Sequence, residues 1–370
     1  MPDTQNTVPT TDGQNRFPCK QCGARLQYAP GTFVTICPYC SAQNQISAPS
    51  DTKLVREIDY LTTLKDLKEH AEKFEAMTLR CDACAGVIQA PPNVTSLSCP
   101  FCGSNIVATA KAATQIKPGA VLPFRATRDE AVARFKAWLG KLWFAPNKLR
   151  HNGMLDTAFN GTYLPAWTYD SATTTRYEGQ RGDAYWETQT VWVNGQPRTQ
   201  QVRRIRWSYA SGSVFVPFDD VLVVASKSLP VQDVEKLAPW DLPQCVPYAD
   251  DYLAGFRAEC YQVGLEDGFG VARQKMQPVI EHAICQDIGG DEQRITDSRT
   301  RYDAITFKHI LLPVWLSAYR YSAKTYRFMV NARTGQVIGE RPYSAVKITL
   351  FVLMCLAILG IIAIVIANAR

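Results

Sequence analysis

Twelve cysteines stand in this chain, and eight of them repeat one spacing. Cys19 and Cys22 are followed by Cys37 and Cys40, and Cys81 and Cys84 by Cys99 and Cys102, with 14 residues between the pairs in both copies. Two thiolates three positions apart lie on one side of a turn, and a second pair brought round by a hairpin closes a tetrahedron about a cation. The spacing therefore predicts two structural Zn2+ ions, one per quartet. Four cysteine ligands leave no position for water, so metal-hydroxide chemistry is not expected at either site. Four thiolates also suit iron, and the ligand set alone does not separate the two metals. Paired disulfides are the other use of such a pattern, and they persist in oxidising compartments. The polar stretch Met1–Arg16 carries no secretory signal.

Other chemistry finds little support. Gly140-Lys141 continues into Leu142, so no phosphate-binding loop is present, and neither H-E-x-x-H nor G-x-S-x-G occurs. The chain does not read as an enzyme. His70, His151, His282 and His309 are scattered, and Cys245, Cys260, Cys285 and Cys355 share no spacing. Asp219-Asp220 and Asp250-Asp251 read as solvated turns, since neighbours on a strand point to opposite faces. Two features could meet nucleic acid. Arg198, Arg203, Arg204 and Arg206 lie beside Trp207 and Tyr209, and Tyr39 and Phe101 sit in the cysteine knuckles where rings can stack on bases. A basic hairpin serves anionic headgroups equally well. Cations near the quartets are sparse, and the net charge of +6 over 370 residues demands neither partner.

A disordered arm is expected over residues 1–16, a first β zinc ribbon over 17–46, and a connecting helix over 51–78 carrying Leu54, Ile58, Leu61, Leu64, Leu67, Ala71 and Phe74 on one face. That stripe suits either a docking helix or a spacer packed on its own protein. A second ribbon occupies 79–110, and Lys111–Gly119 reads as a linker. An α+β domain is expected over 120–342. It opens on a helix capped by Thr127-x-x-Glu130 and ending near Gly140, with Ala131, Phe135 and Trp138 inward. Leu164-Pro165-Ala166-Trp167 and Leu312-Pro313-Val314-Trp315 suggest a duplicated sheet unit. Asn194-Gly195 suits a hairpin turn, and helices are expected over Asp250–Cys260 and, interrupted by Gly268, Gly270 and Pro278, over Leu265–Ile288.

Residues 346–368 form the last element. Ile348–Ala367 carries no charge, and at 1.5 Å per residue its 20 residues span about 30 Å. Lys324, Arg327, Arg333, Arg341 and Lys347 lie upstream and only Arg370 downstream, which places the large N-terminal part in the cytosol. A single-pass, tail-anchored protein follows.

The paired ribbons, Val121-Leu122-Pro123-Phe124 with Arg128-Asp129-Glu130-Ala131, the two Leu-Pro-x-Trp segments, Val330-Asn331-Ala332-Arg333-Thr334-Gly335 and the apolar C-terminal run together resemble bacterial membrane proteins with tandem transcription-factor-IIB-type zinc ribbons. Such proteins are often called primosomal replication factors or helicases. The missing phosphate loop sets helicase activity aside here. The resemblance implies an inner-membrane location and, through some relatives, a platform for SPFH scaffold proteins (stomatin, prohibitin and flotillin type) or membrane-stress proteins of the phage-shock-protein A kind. The sequence thus points to a membrane adaptor whose cytosolic ribbons and α+β domain recruit partner proteins. A membrane-tethered nucleic-acid binder is the alternative.

Overall fold

The computed structural model describes residues 19–24, 26–46, 55–69, 74–81, 86–89, 96–99, 101, 105–107, 111–144, 159–193, 196–321, 324–340 and 343–368. The 1–16 arm and the Asn194-Gly195 turn lie outside them. Three short strands, β1 (Gln27–Tyr28), β2 (Val34–Ile36) and β3 (Gln43–Gln45), build the first ribbon. The connecting helix is shorter than expected. Strand β4 (Ile58–Asp59) pairs with a later strand, and helix α1 spans only Tyr60–Glu69. The Asp59 side chain accepts the Thr62 amide at 2.7 Å and so starts the helix after itself. Residues expected to finish it instead form strand β5 (Phe74–Arg80).

Next come β6 (Val87–Gln89), β7 (Ser96–Ser98), β8 (Asn105–Val107) and β9 (Lys111–Gln115), with β7 and β8 paired to each other. Both β6 and β9 pair with β5, so part of the expected linker belongs to the sheet of the second ribbon.

The α+β domain begins at β10 (Ala120–Val121) and α2 (Arg128–Gly140). The capping box forms as expected: Glu130 N donates to Thr127 Oγ1 at 3.3 Å, and Thr127 N to Glu130 Oε2 at 2.8 Å. Two very long strands follow, β11 (Asn160–Val193) and β12 (Gln196–Val224). After the short helix α3 (Val231–Lys236) come β13 (Val246–Pro247), β14 (Arg257–Ala258) and helix α4 (Leu265–Ile288). The expected Asp250–Cys260 helix is reduced to one turn at Asp250–Leu253. Helix α4 is continuous through its glycines and proline. Gly268 is needed there, because a Cβ would collide with the Tyr169 hydroxyl, which donates to the Leu265 carbonyl at 2.7 Å. The chain closes with β15 (Glu292–Tyr321), β16 (Lys324–Asn331), β17 (Val337–Gly339) and helix α5 (Ala345–Asn368).

The sheet is curled and mostly antiparallel. Its spine runs β12-β11-β15, with β16 continuing from β15 beside β10. The two Leu-Pro-x-Trp segments pair with each other: Leu164 faces Leu312, Pro165 faces Leu311 and Tyr163 faces Pro313. Each segment is preceded by a helix and followed by a partner strand, so the order helix, strand, strand occurs twice. Helix α4 packs against β12, and Phe135 of α2 stacks on Phe328 of β16 at 3.8 Å between ring centres. Each helix therefore covers the outer strand of the other unit.

One sheet face carries Phe124, Tyr163, Trp167, Tyr169 and Trp315 under α2, α4 and the first ribbon. On the other, Leu164, Ala166, Ile310 and Leu312 pack with Trp240, Leu229, Cys81, Cys99 and Phe101. Tyr60 of α1 is buried beside Tyr169 and Phe269, while Leu61 stays exposed. The helix is thus seated on its own protein, with part of its apolar stripe left free.

His309 in β15 gives a pH-dependent expectation. It is buried between Trp167 and Tyr261, with Nδ1 2.9 Å from the Ile116 carbonyl. Burial holds its imidazole down to about 4, against an ordinary value of about 6.5. Between those values the unfolded chain binds more protons, so this residue costs stability as pH falls from about 6.5 to 4, by up to about 3 kcal/mol. The His309→Gln variant removes that cost. Measured by urea unfolding, its stability relative to the natural chain should improve by that amount between pH 7 and pH 4. A pH-independent difference would show that the imidazole protonates freely in the fold.

Candidate metal centre

Cys19, Cys22, Cys37 and Cys40 converge. Cys19 Sγ lies 3.6 Å from Cys40 Sγ, Cys22 Sγ lies 3.5 Å from Cys37 Sγ, and the four sulfurs all fall within 4.8 Å of one another. A Zn–S bond of about 2.3 Å puts tetrahedral sulfurs roughly 3.8 Å apart, so the cluster fits such an ion. Backbone amides complete the fit. Those of Gln21 and then Cys22 lower the Cys19 thiol, and that of Cys40, aided by Tyr39, pulls Cys37 down to about 6. Cys40 is pushed up to about 12 despite the Ala42 amide, by burial and by the other three sulfurs. A divalent cation compensates the negative charge that causes this and favours four thiolates.

Local backbone explains why these residues aim inward. Each Cys-x2-Cys turn closes with a hydrogen bond from the first cysteine's amide to the carbonyl five residues on, Cys19 to Ala24 at 2.7 Å and Cys37 to Ala42 at 2.9 Å. Gly23 follows one ligand with φ +72°, where glycine meets no steric penalty. Ser41 follows another with φ +57°, a left-handed residue whose type gave no signal in the sequence. The ribbon is tied to the larger domain through Tyr28. Its hydroxyl donates to the Thr32 and Phe124 carbonyls at 2.8 and 3.3 Å, and its ring meets Tyr252 and Phe256 edge-on. The Gly31 amide adds a 2.9 Å bond to the Phe124 carbonyl.

The second quartet is described only by half. Cys81 and Cys99 are buried, whereas Cys84 and Cys102 lie outside the described residues. The Cys81 amide donates to the Gly86 carbonyl at 2.8 Å, the same five-residue closure as in the first ribbon. Of the two knuckle aromatics that could stack on bases, Phe101 is turned inward instead. It is 2% exposed, packed over Gly86, while its counterpart Tyr39 is 81% exposed. Burial beside the sheet wins because the second ribbon lies on the domain's apolar face, so Phe101 is not available for stacking on a base.

Behind this ribbon lies a buried polar group that no sequence pattern indicates. Ser228 hydrogen-bonds Glu259, and Gln262 Nε2 donates to Glu259 at 2.6 Å and to Ser228 at 2.9 Å. Burial pushes the Glu259 carboxyl up to about 7. Of the remaining sequence candidates, Asp219 groups with Glu57 and Asp170, their carboxylate oxygens within 4.8 Å of one another. His282, Cys245, Cys260 and Cys285 belong to no cluster of metal-ligating groups among the described residues. Asp219 and Asp220 are not in a turn but at a bulge in β12, where Asp220 has φ +53° and meets Lys308 Nζ at 2.7 Å. The basic strand is partly neutralised: Arg203 pairs with Glu292 at 3.0 Å, Arg204 with Glu187 at 3.2 Å, and Arg206 lies over Tyr185.

Helix α5 stands apart from this packing. Its Val346–Ile366 stretch has mean hydropathy 3.1 over 21 residues and none of it is buried. It is held at its start by the Ser344 amide on the Phe144 carbonyl at 2.8 Å, and by Phe144 against Phe351.

The chain is similar to the uncharacterized protein YdjG of Bacillus subtilis (strain 168), with 26% identity over 236 residues, which cover 63% of this chain and 66% of that protein. It thus spans just under two thirds of the relative's length. No protein-family model matches the chain, and no solved structure matches it.

Proposed function

We propose that this protein is a bacterial inner-membrane adaptor, anchored by α5, whose ribbons and α+β domain hold partner proteins at the bilayer from the cytosolic side. This reading rests on the apolar stretch of α5, in which no described side chain is buried although a folded body stands beside it. Water does not tolerate such a surface, and a bilayer core accommodates it. Both quartets hold structural Zn2+ in this reading, the second by analogy with the first. SPFH scaffolds or phage-shock-protein A-type proteins are the partners suggested by the family resemblance. Phe33 and Tyr39, large and exposed on the first ribbon, are the side chains offered to them.

The test is in two parts. Protease added outside intact spheroplasts should leave the ribbons uncut, and their digestion there would reverse the topology. Crosslinked partners recovered from native membranes should be lost in a Phe33→Asp/Tyr39→Asp variant that keeps its zinc. An unchanged partner list would remove the ribbon from the docking surface.

A second reading rests on the hairpin end of β11 and β12, where Trp186 and Trp192 are exposed near Arg198 and Arg203. Rings and guanidinium groups so placed suit single-stranded nucleic acid. Salt-sensitive retention of the full chain on such a strand would favour it.

A further inference from the structure

Strand β12 is the edge of the large sheet. Over its 29 residues it pairs with β11 alone, and among the described residues no strand covers its other side. Lys275 Nζ caps the Leu222 carbonyl at 2.8 Å, which closes the edge only near its end. Proteins normally shield such an edge, because its free N–H and C=O groups template pairing with another chain. Pro217 removes one donor here and leaves the rest of the edge open.

The charges along β12 are arranged as opposites about its middle. Arg198, Arg203, Arg204 and Arg206 precede Ser211, Asp219 and Asp220 follow it, and the centre is the small run Ala210-Ser211-Gly212-Ser213. We propose that two copies of this chain join antiparallel along their β12 edges, with the two-fold axis at Ser211. A two-fold contact requires that residue i meet residue j and j meet i. A strand basic at one end and acidic at the other meets that condition only when antiparallel.

The register follows from which face each side chain occupies. Tyr177 faces Asp287 of α4, so residues in step with it line the inner face. Alternation then sends Arg203, Trp207, Tyr209, Phe215 and Asp219 to the outer face, where Tyr209 is 71% and Phe215 65% exposed. An axis at Ser211 sets Trp207 opposite Phe215 of the second copy and Arg203 opposite its Asp219, all on that face. Asp219 is ready for a cation: its carboxylate, those of Asp170 and Glu57 lie within 4.8 Å of one another, with Lys308 bonded to Asp220 at 2.7 Å and to Glu57 at 3.4 Å. Among the described residues Arg203 makes an exposed ion pair with Glu292, which exchanges readily. An axis normal to the sheet keeps equivalent faces together, so the α5 helices of both copies can enter one bilayer when the joined sheet lies along it.

Sedimentation of the full chain in detergent tests this. The natural chain should dimerise, and Arg203→Asp or Asp219→Arg should each weaken the dimer at least about tenfold by setting like charges opposite each other. The double variant Arg203→Asp/Asp219→Arg should restore it. Ser211→Cys should form a symmetric disulfide on mild oxidation above the natural chain's background, since facing residues of antiparallel strands lie about 4.5 to 5.5 Å apart, within disulfide reach. Thr199→Cys, far from the axis, should not. A monomer at every concentration would overturn the proposal. So would a dimer indifferent to the charge reversals, a double variant that is not restored, or the absence of the Ser211→Cys crosslink. A dimer lost only on nuclease treatment would assign the edge to nucleic acid instead.

Discussion

Replacing Cys37 by Ser should cost the protein one metal ion and the fold of residues 17–46, while the large sheet survives. Three remaining thiolates cannot complete the tetrahedron, and structural zinc supplies on the order of 10 kcal/mol to ribbons of this size. The first ribbon has little else: its own apolar cluster is Cys19, Leu26 and Cys37, and two of those three belong to the sulfur quartet. Tyr28 and Ile46 nevertheless belong to the core of the larger domain. Loss of the metal should therefore also release Tyr28 from the Phe124 carbonyl and loosen the wall formed by Tyr252 and Phe256. Hydrogen exchange would show this as lost protection at residues 27–46 and, more weakly, near 252–256, with β11 and β15 unchanged. Elemental analysis should fall from two zinc ions per chain to one. Two ions retained, or iron in place of zinc, would overturn this account of the site.

Deleting residues 345–370 should move the protein from the membrane fraction to the soluble one without unfolding it. Thirteen Ile, Leu, Val and Phe side chains lie within Ile348–Ala367. At roughly 0.3 to 0.6 kcal/mol each they contribute about 4 to 8 kcal/mol to insertion. The domain loses little in return. Phe351 touches Phe144, Lys347 Nζ reaches the Trp143 carbonyl at 3.2 Å, and no part of the apolar window is buried against the body. Carbonate extraction and thermal unfolding of the truncated chain measure the two halves of this expectation. A truncated chain that stays in carbonate-washed membranes would place the anchor elsewhere. One that unfolds would make α5 a structural helix.

The first metal centre was legible because its signal is short-ranged. Cysteines three apart and a helix cap three apart are decided within one turn of chain, and the quartet at Cys19–Cys40 and the box at Thr127–Glu130 formed as read. The connecting helix failed for the same reason seen from the other side. Its periodic stripe runs on to Phe74, but a sheet partner at β9, more than thirty residues away, offers residues 74–78 a ladder that periodicity does not register. Knuckle aromatics posed a similar problem. Tyr39 and Phe101 occupy equivalent places, and only the surface beneath the second ribbon makes one exposed and the other buried.

Local commitments are written into the order of residues: thiolate pairs on turns, an apolar run long enough for a bilayer, and strand-forming composition with two Leu-Pro-x-Trp segments. Tertiary structure decided where those commitments meet. Packing across the chain paired the two segments on each other at Leu164 and Leu312, extended β11 to 34 residues, and left β12 as an edge that no other described strand covers, with arginines before Ser211 and aspartates after it. The physical reason is that strand pairing is satisfied across the chain rather than along it. A backbone N–H in β11 can donate to a carbonyl of any strand that the packing of α2 and α4 brings alongside, and no nearest-neighbour pattern records which one arrives.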